Sequence, residues 1–97
     1  MFRHVVLFTW ADGVTEEQQQ AIAAELRTLP DTIDVIRDYR VGLDAGLSPA
    51  NRDFAVVADF DDADSYLAYR DHPAHRAMVD RHITPIVAQR AAIQYEC

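Results

Sequence analysis

From Phe2 to Trp10 the chain is apolar or aromatic at almost every position, and its β-branched and aromatic residues predict a strand. Alternation divides it into two faces, His4/Val6/Phe8/Trp10 and Arg3/Val5/Leu7/Thr9. Both faces are apolar. The pattern returns at Phe54–Phe60, where Phe54, Val56, Ala58 and Phe60 oppose Ala55, Val57 and Asp59. A last strand is predicted over Arg90–Glu96, with Ala91, Ile93 and Tyr95 opposing Ala92 and Gln94. Asp38–Leu43 reads as a further strand in which Gly42 marks a bulge. Helical spacing appears at Ile22, Leu26 and Leu29, predicting a helix over 16–29. Thr15 and Gln18 form a capping box at its start, and Pro30-Asp31 is expected to end it. Acidic residues from Asp61 to Asp64 open a second helix that ends near Asp71. Pro73 begins a third, capped by His72, which runs to about Ile83 before Thr84-Pro85 breaks it.

The resulting order, β-α-β-β-α-α-β, predicts an α+β domain spanning residues 1–97. It is a ferredoxin-like split βαβ unit with a four-stranded antiparallel sheet and helices on one face. Those helices cannot also cover the other face, and a contiguous apolar patch left in water calls for a partner. The expectation is a homodimer through the sheet face bearing Val5 and Leu7, a self-complementary sheet-on-sheet contact of two-fold type.

Composition narrows the function. The 97 residues are 49% hydrophobic, so a real core can form. The net charge of −7 and the absence of any Lys argue against nucleic-acid or anionic-membrane partners. No apolar run is long enough to span a bilayer, and the short run Val5–Phe8 does not read as a signal-peptide core. The single cysteine, Cys97, fits a reducing compartment, so a cytoplasmic location is expected.

Candidate chemistry lies with His4, Tyr69 and His75. His4 shares a strand face with Val6 and Phe8, while His75, Val79 and His82 form one helical stripe. Tyr66 and Tyr69 share a side of the second helix. If the helices cover the Val6/Phe8 face, these groups converge on an apolar pocket whose walls also include Ile22, Leu26 and Ile86. A neutral imidazole there is a general base with a pKa near neutrality, and a phenol can orient it or donate to an oxyanion. Structural roles for the same residues, as hydrogen-bonded core groups, compete with this reading. No metal site is expected: His72 and His75 lack a third ligand, and His72 serves equally well as a helix cap. There is no phosphate loop or nucleophile elbow, and no cofactor is expected. Trp10 reads as pocket wall or lid.

Four segments in order, His4-Val5-Val6-Leu7-Phe8, Thr15-Glu16-Glu17-Gln18, Arg40-Val41-Gly42 and Tyr69-Arg70-Asp71-His72-Pro73-Ala74-His75, resemble the dimeric α/β-barrel family, also called stress-responsive A/B barrel or Dabb domains. The resemblance implies a ferredoxin-like fold in which two sheets pair into a dimeric α+β barrel in a homodimer. One plant branch of the family includes a cofactor-free cyclase that folds a linear polyketide by aldol condensation, and its catalytic His and Tyr positions match His4, Tyr69 and His75. That cyclase has aromatic residues on the first helix where this chain has Ile22 and Leu26, which implies a different substrate tunnel. Some plant relatives hold Mg²⁺ through main-chain carbonyls in the stretch matching residues 33–39.

Three functions follow as expectations. The first is a cofactor-free cyclase- or lyase-type enzyme acting on a polyketide-like or small oxygenated substrate, with His75 as base, Tyr69 as orienter or oxyanion donor and His4 as carbonyl polariser. The second is a stress-associated dimer that binds a small apolar ligand without catalysis. The third is a monooxygenase of the related ferredoxin-like barrels.

Overall fold

The computed structural model describes residues 1–97. Its elements are β1 (Phe2–Trp10), α1 (Glu16–Leu26), α2 (Leu29–Thr32), β2 (Asp38–Leu43), β3 (Phe54–Phe60), α3 (Ala63–Asp71), α4 (Pro73–Met78), a π-helical turn (Val79–Ile83) and β4 (Val87–Glu96). The four strands form one antiparallel sheet in the order β2-β3-β1-β4, the ferredoxin-like arrangement expected from the sequence. No helix is long and apolar enough to cross a membrane.

The central pair β1–β3 sets the two faces. His4 lies opposite Ala58, Val6 opposite Val56 and Phe8 opposite Phe54, and all six are buried beneath the helices. The other face, with Val5 opposite Val57 and Leu7 opposite Ala55, is only half-buried. Ile93 and Tyr95 continue that face on β4 and are 58% and 41% exposed. One end of the open face is fringed by charge. Arg3 donates to both Asp59 carboxylate oxygens at 2.7 and 2.9 Å, and this ion pair holds the Asp59 carboxyl below its ordinary range.

Local sequence explains most element ends. The capping box at Thr15 is present, with Gln18 N–H donating to Thr15 Oγ1 and Thr15 N–H donating to Gln18 Oε1. Asp62 accepts from Ser65 N–H at 2.8 Å and starts α3. His72 accepts from Ala74 N–H through Nδ1 at 3.0 Å and starts α4, with Pro73 in the first helical position.

Four expectations are corrected. The first helix stops at Leu26 rather than Leu29: Thr28 N–H and Oγ1 both donate to the Glu25 carbonyl, at 3.1 and 2.6 Å, and Pro30 has no N–H to offer the Leu26 carbonyl. Pro30-Asp31 therefore lies inside the short α2, where Pro sits in the first turn and its missing N–H is not needed, and Leu29 still reaches the core. Gly42 makes no bulge: it pairs in register with Ala55. The irregularity is in β4, where Gln89 faces Thr9 but Val87 faces Trp10, leaving Ala88 as the extra residue and starting the strand at Val87 rather than Arg90. Finally, the third helix is not uniform to Ile83. After Met78 it widens into the π turn, with Thr84 N–H donating to the Val79 carbonyl at 2.9 Å, five residues back.

The core is anchored by aromatic contacts at one end of the sheet. Phe54 is 2% exposed, tilts against Phe8 at 6.3 Å and meets Trp10 edge-on at 5.2 Å between ring centroids. Truncating it to Ala should cost about 3–5 kcal/mol. Urea denaturation with an unchanged m-value would read that loss; a cost below about 1 kcal/mol would show that the aromatic cluster repacks.

Candidate active site

Between the helix-side face of the sheet and α3, α4 and the π turn lies a cavity of about 260 Å³. Its floor is His4, Val6 and Phe8 of β1, with Val56 of β3 and Tyr39 of β2. Tyr66, Tyr69 and Arg70 come from α3, His75 from α4, and Leu26 from α1. Val79, Ile83 and Thr84 close one side, and Val87 and Arg90 of β4 another.

Strand alternation brings His4 to this face, where it is 4% exposed. Its ring lies 4.8 Å from that of Tyr66 and 6.3 Å from that of Tyr69. The side-chain amide nitrogen of Gln94, across the strand pair on β4, lies 2.9 Å from His4 Nδ1. An amide N–H donates, so Nδ1 accepts and the neutral ring carries its proton on Nε2. Burial, helped by the positive charge of Arg90 and by His75, lowers the His4 pKa to about 4. His4 is thus a neutral hydrogen-bond donor at pH 7.

His75 is in the opposite tautomer. Its Nδ1 lies 3.0 Å from the Arg70 carbonyl, which can only accept, so the proton is on Nδ1 and Nε2 keeps its lone pair. Burial lowers the His75 pKa, opposed by that backbone hydrogen bond. The ring packs on Tyr69 with 4.2 Å between centroids. The orienting acceptor of His75 is therefore the Arg70 carbonyl, and Tyr69 steadies the ring through its face. The Tyr69 hydroxyl bonds instead to Tyr39, with 2.9 Å between the two oxygens. Burial pushes the Tyr39 phenol up to about 12 and the Tyr69 phenol well above its ordinary value, so both stay protonated. Two phenols sharing one hydrogen bond leave one O–H free to donate.

Of the residues expected on the pocket, His4, Val6, Phe8, Leu26, Tyr66, Tyr69, His75 and Val79 line the cavity. Ile22 and Ile86 do not. Ile22 lies one turn before Leu26 on α1, and Ile86 lies in the turn whose carbonyl accepts from Ala11 N–H; both border a separate outer groove beside His82. His82 leaves the His75/Val79 stripe because the π turn changes the helical phase. Trp10 is core, stacked on Phe8 and donating through Nε1 to Gln19 Oε1 at 3.1 Å. Tyr39 and Arg90 were missed. Tyr39 alternates with Val41 and Leu43 on the helix side of β2, a pattern visible in the sequence but short and interrupted by Gly42.

No group of three His, Cys, Asp or Glu side chains converges as a metal site. In the 33–39 stretch, the Ile33 carbonyl accepts from Ile36 N–H and the Asp34 carbonyl from the Arg37 guanidinium.

This geometry, a ferredoxin-like sheet with a His/Tyr-lined cavity beneath its helices, is accompanied by a family match over nearly the whole chain. The model of the stress responsive A/B barrel domain matches residues 2–97, and the chain belongs to that family. An uncharacterized protein of Streptomyces coelicolor is 36% identical over 81 residues, covering 81% of this chain and 84% of its own. A crystal structure from Thermobifida fusca, described as a dimeric ferredoxin-like protein of unknown function, is 44% identical, with a TM-score of 0.89 over 99% of this chain and 90% of that one. The hydroxynitrile lyase of Passiflora edulis shares the fold at 17% identity, with a TM-score of 0.83 over 97% of this chain and 90% of that one.

The protonation state of His4 is directly measurable. An unfolded His takes up its proton near pH 6.5, whereas folded His4 does so near 4, so the unfolded state binds more protons between these values. The contribution to stability is complete above pH 6.5 and is lost as pH falls toward 4. The His4 ring resonances should titrate with a midpoint near 4; a midpoint above 6 would contradict a buried neutral donor.

Proposed function

We propose that this chain is a cytoplasmic homodimer that binds a small, mainly apolar carbonyl compound in the helix-side cavity and catalyses cofactor-free proton transfer at the carbon beside the carbonyl. The observation that carries this reading is the pair of opposite tautomers. His75 Nε2 offers a lone pair, and His4 Nε2–H offers a donor, at one apolar cavity.

The mechanism follows from those roles. His75 Nε2 removes a proton from the α-carbon, the C–H electron pair becomes the enolate π bond, and the carbonyl oxygen gains negative charge. His4 Nε2–H donates to that oxygen, helped by the free phenolic O–H of the Tyr39/Tyr69 pair. Protonated His75 returns the proton to carbon, or the enolate carbon attacks a second carbonyl of the same substrate, whose π electrons pass to its oxygen, and that alkoxide takes the proton from His75 in an aldol closure. Apolar walls keep water from the carbanion. The size of the cavity, just under the range of about 300–1,000 Å³ common for small-molecule sites, favours a small oxygenated substrate over a long polyketide.

Dimerisation is supported by the half-open face of Val5, Leu7, Ala55 and Val57 and by the dimeric description of the Thermobifida relative. It is also supported by the dimeric description of a relative from Bacteroides fragilis, 30% identical. The alternative reading, a binding protein without catalysis, uses the same cavity and the same dimer.

Phenylacetone in D₂O distinguishes the two. The wild-type protein should accelerate α-hydrogen exchange, followed by NMR, and His75→Ala should lower the rate by about 10²–10⁴-fold with the fold intact. Perturbed His4 and His75 resonances without exchange would favour the binder; equal exchange by wild type and His75→Ala would remove the general base. For the assembly, Val5→Asp should yield monomer or aggregate by light scattering after size exclusion. A soluble, intact dimer would place the interface elsewhere.

A further inference from the structure

The wall of the cavity has an uneven charge. The chain carries 16 acidic residues against 9 arginines, yet no Asp or Glu lines this cavity and two arginines do, Arg70 and Arg90. The two are not equivalent. Arg70 is neutralised locally, donating to both carboxylate oxygens of Asp71 at 2.9 and 3.1 Å. Arg3, Arg37 and Arg40 are likewise paired with Asp59, Asp61 and Asp38. Arg90 has neither an ion-pair nor a hydrogen-bond partner.

Its position is set by the sheet. Arg90 lies opposite Phe8 on β4, on the same face as His4 and its partner Gln94, and it is exposed at the rim. Both imidazoles are neutral at pH 7, so its guanidinium is the one uncompensated charge on the cavity wall. Its field reaches both rings, contributing to the lowered pKa values of His4 and His75. A wholly apolar ligand would cover this guanidinium and strip it of water without replacing the lost interactions. A carboxylate would replace them with a bidentate, charge-assisted pair.

We infer that Arg90 is a specificity-determining residue, and that the ligand of this cavity is a small monoanion, an apolar body carrying one carboxylate that Arg90 grips at the rim. The inference rests on the cavity being the binding site, and it narrows the substrate class to keto acids and related carboxylates. With the carboxylate held at β4, the apolar body and its reacting carbonyl extend inward toward His4 and His75. An aspartate or glutamate at position 90 would reverse the preference.

Phenylacetate and phenylacetamide test this, because they share shape and differ in charge. In ¹H–¹⁵N titrations, phenylacetate should bind at least about tenfold more tightly than phenylacetamide, with the gap shrinking as salt rises. Arg90→Gln, an exposed position that should leave the spectrum native, should remove the discrimination by lowering phenylacetate's affinity to about that of phenylacetamide. Arg90→Lys should keep part of it. Equal affinity of the two probes for the wild type, or discrimination that survives in Arg90→Gln, would overturn the role of Arg90 while leaving the cavity reading intact. Failure of both probes to perturb His4, Tyr69 or His75 at tens of millimolar would overturn the cavity reading and this inference together.

Discussion

One chain of this length carries enough helix to cover one face of a four-stranded sheet, and the sheet has two apolar faces. That imbalance governs the rest of the molecule. The helices settle on the face of Val6, Phe8, Phe54 and Val56, where the largest side chains lie, and bury it almost completely. The opposite face keeps smaller apolar groups, Val5, Leu7, Ala55 and Val57, closed at one end by the Arg3–Asp59 pair. A flat patch of modest side chains with a charged fringe suits sheet-on-sheet contact, since neither copy needs to reshape itself.

The covered face gives up packing where it carries polar groups. His4 occupies a position that could hold Val, and the helices above it contribute Tyr66, Tyr69 and His75 rather than aliphatic residues. Each buried polar group must find a partner. Gln94 supplies a donor for His4, the Arg70 carbonyl an acceptor for His75, and the phenols of Tyr39 and Tyr69 share one hydrogen bond that leaves a single O–H over. These second partners decide what each group can do. A donor behind one imidazole and an acceptor behind the other leave the pair with complementary free nitrogens, which two isolated histidines would not have.

The strands were legible because their signal is local: alternation and β-branched content located all four, and the capping motifs at Thr15 and His72 were readable from residue type alone. The helix on which His75 sits was legible in extent but not in pitch. A 3.6-residue period placed His82 beside Val79, and only the backbone reveals the wider turn that separates them. His4, Tyr69 and His75 were found together because each falls on an element whose covered face was predictable. Tyr39 was not, because its strand is short and interrupted by Gly42, and Arg90 was not, because alternation groups it with Ala92 and Gln94 but which β4 face the helices cover is set by pairing with β1, which has no local signature. The break before Leu29 reflects Thr28 turning both its N–H and its hydroxyl to the Glu25 carbonyl just ahead of Pro30, a local competition that apolar periodicity does not report.

The π turn links the cavity to chain length. Thr84 N–H reaches back five residues to the Val79 carbonyl where a regular helix reaches back four, so the turn holds one residue more than the ordinary pitch requires. Removing that extra residue would restore the ordinary pitch and still leave Ile83 facing the cavity. The wall of the cavity can thus take up or give back one residue at this turn without disturbing the side chains beyond it, which makes the length of this segment a freer variable than its composition.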